Sequence, residues 1–211
     1  MKNITIFFIT IIILYFAYAS IEDERPEKSK KSEDENEDIE VPEVEKPRDG
    51  KDPNDFYTND ELKQLPEVEI LARTLYGEGR GIAEDEISRI GTVIMNRKNA
   101  NGWKDTVKEV CLQPKQFSCW NLPRFGKLGG NAYETRKVEP REKIAYQTCF
   151  EIAKNILSGE YPEMPQVYHY FVYVPGDTII YNDKIYSGGP SWARNAEVVW
   201  KGEHVFLRGV N

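Results

Sequence analysis

Glu78 is the residue whose placement most suggests chemistry. It lies in Tyr76-Gly-Glu-Gly-Arg-Gly81, where a run carrying Ile70, Leu71, Thr74 and Leu75 at helical spacing gives way to glycines. That pattern predicts a carboxylate at the end of an amphipathic helix, facing a cleft. A carboxylic acid held there in its protonated form could protonate a poor leaving oxygen such as that of a β-1,4 glycosidic bond. Leu75, Tyr76 and a later aromatic loop are expected to supply an apolar wall, and Gly77, Gly79 and Gly81 to let a bulky sugar chain approach the backbone. On spacing alone, the commoner meaning of such a stretch is a solvated helix end followed by a turn.

Other residues fit the same chemistry. Gln116, Phe117 and Ser118, with Trp120, combine amide, hydroxyl and ring, the groups that bind acetamido sugars. The bland alternative for Phe117 is a buried anchor of its loop. Tyr168, His169 and Tyr170 alternate faces if they lie on a strand, so Tyr168 and Tyr170 would line the cleft with His169 turned away, or the reverse. A conventional glycosidase needs a second carboxylate as base or nucleophile. Glu84, Asp85, Glu86 and Asp177 are the candidates, but the three acids at a helix start read first as partners of its dipole. A single-acid mechanism is therefore preferred, in which the substrate's own N-acetyl group stabilises the cationic centre and Glu78 then acts as base. Closure by a sugar hydroxyl gives lytic transglycosylation, and water gives hydrolysis; both remain open.

Cys111, Cys119 and Cys149 with His169 and His204 raise two further chemistries, a Cys/His peptidase or a zinc site. No paired ligand spacing supports a metal, and no cofactor is implied. In an exported chain the three cysteines read more naturally as one disulfide and one buried thiol. A glycan-binding module without catalysis would keep the aromatic residues and dispense with Glu78.

The elements that must hold these residues follow from pattern. Thr58 to Glu61 is a capping box and Pro66 ends the helix it starts. Helices are expected from Val68 to Gly77 and from Ala83 to Lys98, the second burying Ile87, Ile90, Gly91, Ile94 and Met95. Asn96 and Arg97 read as its polar cap. Thr106 and Glu109 cap a short helix ending near Cys111, and Phe117 to Thr135 is a long aperiodic loop. A helix over Glu139 to Ser158, with Ile144, Thr148, Cys149, Ile152 and Ile156 on one face, stops at Gly159. Strands are expected at Val167 to Val174, Thr178 to Tyr181 and Glu203 to Leu207, with Asn182-Asp-Lys as a turn. The class is α+β, mainly helical, with a few short strands in the C-terminal third.

Of 211 residues, 1–19 read as a signal peptide or membrane anchor: Lys2, a continuous apolar run from Ile4, and Ala17-Tyr-Ala19. Residues 20–56 read as an acidic disordered linker. Fourteen of the chain's 35 acids and seven of its 28 Lys and Arg fall between Ile21 and Asp52, too little apolar surface to offset chain entropy. With Lys2 also set aside, 21 acids face 20 bases from residue 53 onward, and without Asp55 the domain at residues 57–211 has 20 of each, so it is nearly neutral. That balance argues against nucleic acid, which calls for a basic face. Export to the periplasm or cell wall is expected, with membrane contact only through residues 4–19 if they are retained.

The ordered set A-R-x-x-Y-G-E-G-R-G (72–81), M-N-R (95–97), Q-P-x-Q-F-S (113–118), P-x-W-A (190–193) and G-x-H-x-F (202–206) resembles the SleB/CwlJ-type cell wall hydrolases. The resemblance covers roughly Val68 to Gly209. It implies a lysozyme-like domain acting on the glycan strands of peptidoglycan, with Glu78 at the family's catalytic glutamate, the Q-F-S segment near the cleft, and Trp192 in a late family motif. Between Pro175 and Gly189 the chain departs from its relatives, reading VPGDTIIYND from Val174 where many carry D-P-T-x-G-A.

Overall fold

A computed structural model describes residues 52, 54–121 and 134–210. The expected leader, nearly all of the expected linker and the middle of the Phe117–Thr135 loop lie outside them. Among the described residues the helices come first: α1 (Asn59–Gln64), α2 (Glu67–Gly79), α3 (Glu84–Asn99), α4 (Val107–Leu112) and α5 (Lys143–Leu157). The last third is a sheet of β1 (Val167–Val172), β2 (Ile179–Tyr181), β3 (Lys184–Ser187), β4 (Glu197–Lys201) and β5 (His204–Arg208). The strands run antiparallel in the order β1-β5-β4-β3-β2. The class is α+β, with a small antiparallel sheet in the C-terminal part.

Local signals account for most boundaries. Thr58 accepts from the Glu61 N–H at 3.3 Å while the Glu61 carboxylate accepts from the Thr58 N–H at 2.7 Å, the reciprocal capping box. Thr106 caps α4 through the Glu109 N–H at 3.1 Å. At the end of α5, Gly159 takes φ +95°, where a side chain would be strained. Helix α5 starts at Lys143, later than its pattern suggests: Glu139 precedes Pro140, which disfavours helical geometry there, and the Arg141 N–H is turned to Glu134 at 3.4 Å. Its buried face is Tyr146, Cys149, Ile152, Ala153 and Ile156, whereas Ile144 is 77 % exposed. Asp55 and Phe56 close the expected linker, yet the Val138 N–H donates to the Asp55 carbonyl at 2.9 Å and Phe56 bridges to Lys137.

The sheet separates two cores. Phe206, Tyr170 and Trp200 face the helices, while Val205, Leu207, Phe171 and Val198 face a second, smaller cluster with Ile185, Ala193 and Ala196. Strand β5 is buried on both faces, since Val205, Phe206 and Leu207 are all 0 % exposed. On the helical side α2 and α5 are joined by the edge-to-face pair Tyr76–Tyr146 at 5.8 Å. Helix α3 approaches α5 closely at Gly91, where a Cβ would lie 2.0 Å from the Ile156 Cδ1.

Candidate active site

Glu78 is the penultimate residue of α2 and is half-buried. Its carboxylate is held on both oxygens. Oε1 accepts from the Ser118 hydroxyl at 3.1 Å and the Cys119 backbone N–H at 2.9 Å; Oε2 accepts from the Tyr170 hydroxyl at 3.3 Å. Ser118 and Cys119 sit on a single 3₁₀ turn, Ser118–Trp120. Tyr170 comes from β1, on the strand face turned to the helices. Burial, and after it the charge of Glu78, push the Tyr170 hydroxyl well above the usual phenol range, so it stays a protonated donor.

The turn is pinned from beneath. Trp120 Nε1 donates to the Thr74 hydroxyl at 2.9 Å, and the Trp120 carbonyl accepts from Arg136 at 3.2 Å. Phe117 is 1 % exposed, with the Arg97 guanidinium 5.2 Å from its ring centre. Phe117 and Trp120, expected to offer ring faces to a sugar, are thus core residues that seat the turn; Trp120 is only 7 % exposed. Ser118 is exposed, and Gln116 is half-buried beside it.

The glycines of the motif also differ from expectation. A Cβ at Gly77 would lie 2.3 Å from Thr135 Oγ1 and 2.5 Å from Cys119 Cβ, and one at Gly79 3.1 Å from the Ile87 side chain. These two make room for the protein's own neighbours. Gly81 alone, at φ +89° with open space around it, serves a turn. Gly77→Ala should push Cys119 off its position and lengthen the N–H contact to Glu78. The expected outcome is a loss of about 1–3 kcal/mol of stability from overpacking together with a fall in turnover, read by thermal melting and peptidoglycan assays.

On β1 the ladder is irregular between Val167 and His169, a bulge at Tyr168. Tyr168 therefore does not share Tyr170's surroundings: it lines a 310 Å³ depression with Gln166, His169, Leu207, Gly209 and Val210. His169 turns away from Tyr170, its ring 6.0 Å from Trp103 and 5.5 Å from Trp192. Trp192, 40 % exposed, also meets Phe171 at 6.1 Å, so its contacts lie on the β1 face away from Glu78. Burial, and then the charge of Arg97, lower the His169 imidazole's proton affinity.

Asn96 and Arg97 are not caps; the cap residue of α3 is Ala100. They fall on the face of α3 that meets β1. The Asn96 amide donates to the Met164 and Val167 carbonyls at 2.7 and 2.9 Å, and Arg97 Nε donates to the Tyr168 carbonyl at 2.7 Å. The Arg97 guanidinium, 4.5 Å from the Trp103 ring centre as well, ties β1 to the turn that carries Ser118. Burial lowers its proton affinity, and the charge of Glu78 is among the influences that raise it.

Of the four candidate second carboxylates, Glu84, Asp85 and Asp177 are exposed, with Asp85 paired to Arg89 at 3.2 Å along the helix. Glu86 is not a dipole partner in solvent but is 3 % exposed and hydrogen-bonded to His204. All three cysteines are free and buried, in place of the expected disulfide and single thiol. Burial pushes the Cys111 and Cys149 thiols up to about 12, and Cys119 well above its ordinary value. Thiols so held are not nucleophiles, which speaks against a cysteine peptidase. Among the described residues no cluster of three or more His, Cys, Asp or Glu could hold a metal ion.

Neither the curated proteins nor the solved structures compared with the chain gave a match. The family model described as Cell Wall Hydrolase matches residues 84–207, which takes in the Ser118–Trp120 turn, Tyr170 and His204 and begins six residues after Glu78. By that match the chain belongs to the SleB/CwlJ-type cell wall hydrolases, enzymes directed at peptidoglycan.

Proposed function

We propose that the protein cleaves the glycan strands of peptidoglycan, at the β-1,4 bond between N-acetylmuramic acid and N-acetylglucosamine, with Glu78 as the catalytic acid and base. The observation that carries this reading is the Glu78 carboxylate at a helix end, half-open to solvent and held by Ser118, the Cys119 N–H and Tyr170. Oε1 takes two donors and Oε2 one longer bond, so Oε2 is the oxygen freer to exchange a proton with substrate. The proton passes from Glu78 to the leaving oxygen as the C1–O4 bond breaks, and the acetamido oxygen of the same sugar stabilises C1. The ionised Glu78 then takes a proton from the incoming hydroxyl. If that is the sugar's own 6-hydroxyl, a 1,6-anhydro end forms; if it is water, a reducing end forms.

Ser118 and Gln116, at the open side of the turn, are the nearest groups for an acetamido side chain. A lysozyme-like domain, exported by residues 1–19 and tethered by 20–56, accords with a substrate outside the membrane. Mass spectrometry of digested peptidoglycan tests the reading. Anhydro-ended muropeptides establish glycan cleavage by transglycosylation and reducing ends establish hydrolysis. Severed stem peptides with intact glycan would overturn it.

A further inference from the structure

Glu86 is the one acid at the start of α3 that turns inward. It is 3 % exposed and its partner His204 is 5 % exposed. Oε1 accepts from both the backbone N–H of His204, at 2.6 Å, and its ring Nδ1, at 2.8 Å; Oε2 accepts from the Glu203 N–H at 3.1 Å. The β4–β5 turn is shaped to the carboxylate, because a Cβ at Gly202 would lie 2.4 Å from Oε2. From there the contacts continue toward Glu78. The His204 ring meets the Tyr170 ring edge-on at 5.3 Å and 80°, Phe206 stacks on the same tyrosine at 5.4 Å and 26°, and the Tyr170 hydroxyl donates to Glu78 Oε2 at 3.3 Å.

Three roles can be set against this geometry. As the second carboxylate of a hydrolase, Glu86 would have to reach the sugar, but it is buried and its oxygens already serve three donors. As the end of a proton relay it would need a hydrogen bond at every step, and the step from His204 to Tyr170 is ring against ring. Positioning is the role that the contacts satisfy. We propose that Glu86 is a positioning residue: by fixing His204 it sets the Tyr170 ring, and so the direction from which the hydroxyl meets Glu78. The inference rests on the reading of Glu78 as the catalytic acid.

A double-mutant cycle on the full chain tests it, with kcat, KM and melting temperature measured on peptidoglycan for the unmodified protein, Glu86→Gln, Tyr170→Phe and the pair. Glutamine keeps one oxygen for the His204 donors but sets an NH₂ against the Glu203 N–H, which loosens the turn. Glu86→Gln and Tyr170→Phe should each lower kcat roughly tenfold, with KM within about twofold, as expected when a reacting group loses its alignment. The pair should be no slower than Tyr170→Phe alone, since without the hydroxyl there is nothing left to orient. If Glu86→Gln does not fold, Phe206→Leu, which removes the other ring from Tyr170, should give the same pattern. Losses that multiply, a loss confined to KM, or a folded Glu86→Gln with unchanged kcat would overturn the inference. Unchanged kcat in Glu78→Gln would instead bring down the underlying reading, so the two failures are separable.

Discussion

Glu78→Gln should leave a folded protein that has lost glycan cleavage, with kcat down by about 10²–10⁴-fold, the range for removing a general acid–base group. The substitution is nearly isosteric. The amide oxygen can still accept from the Ser118 hydroxyl and the Cys119 N–H, and the NH₂ group can turn to the Tyr170 oxygen. Melting temperature and retention on insoluble peptidoglycan should therefore change little. Release of soluble muropeptides against time is the measurement. Retained turnover would remove Glu78 from the chemistry, and binding without turnover in the unmodified protein would point to a wall-binding module.

The largest expected effect on stability is at Arg73. Its side chain is 2 % exposed, the bulkiest of the fully buried side chains, and it donates to the carbonyls of Thr135 and Val138 at 3.0 and 3.1 Å and to that of Lys137. Nε pairs with Glu69 at 2.7 Å, and the guanidinium lies 5.0 and 5.5 Å from the ring centres of Tyr57 and Tyr146. Arg73→Met keeps the volume but strands the carbonyls and a half-buried carboxylate. The expected cost is about 3–5 kcal/mol, which lowers Tm by roughly 10 °C in a domain of this size. Arg73→Lys should recover little, because an ammonium cannot serve three carbonyls in the planar fork geometry of a guanidinium. Thr135 also fills the space beside Gly77, so activity should fall below the new melting range as well.

How far the site could be read from sequence depended on the range of the interactions. The end of α2 at Glu78 was legible because apolar spacing and glycines act within a turn or two. The caps at Thr58 and Thr106 were legible for the same reason, although only Thr58 forms the reciprocal box; at Thr106 the Glu109 carboxylate takes the hydroxyl instead of the backbone N–H. Trp120 was misassigned to an open cleft, and Phe117 is the buried anchor that stood as its alternative: an aperiodic loop gives no sign of which rings a short turn folds inward. Glu86 looked like a dipole partner because its local neighbours justify that role, while its actual partner is 118 residues away. The Cys119 contribution is a backbone N–H, which residue type does not disclose. Strands β3 and β4 were missed because each is short, and β4 offers only Val198, Val199 and Trp200 between charged ends. The alternation expected of Tyr168 and Tyr170 was broken by the bulge.

The position of β5 has a bearing on when the enzyme becomes active. Strand β1 pairs with β5 and with no other strand of the sheet, although β5 is the last of the strands among the described residues. In folding, the helix that carries Glu78 can form from local contacts before Tyr170 has a scaffold. His204 and Phe206, which seat the tyrosine ring, come into place with β5, and closing so long a loop is a late, entropically costly step. A chain in which β5 has not yet docked carries the acid without the hydroxyl that meets it. Under the reading proposed here, the power to cut the wall then comes only once β5 has docked beside β1, a consequence of strand order.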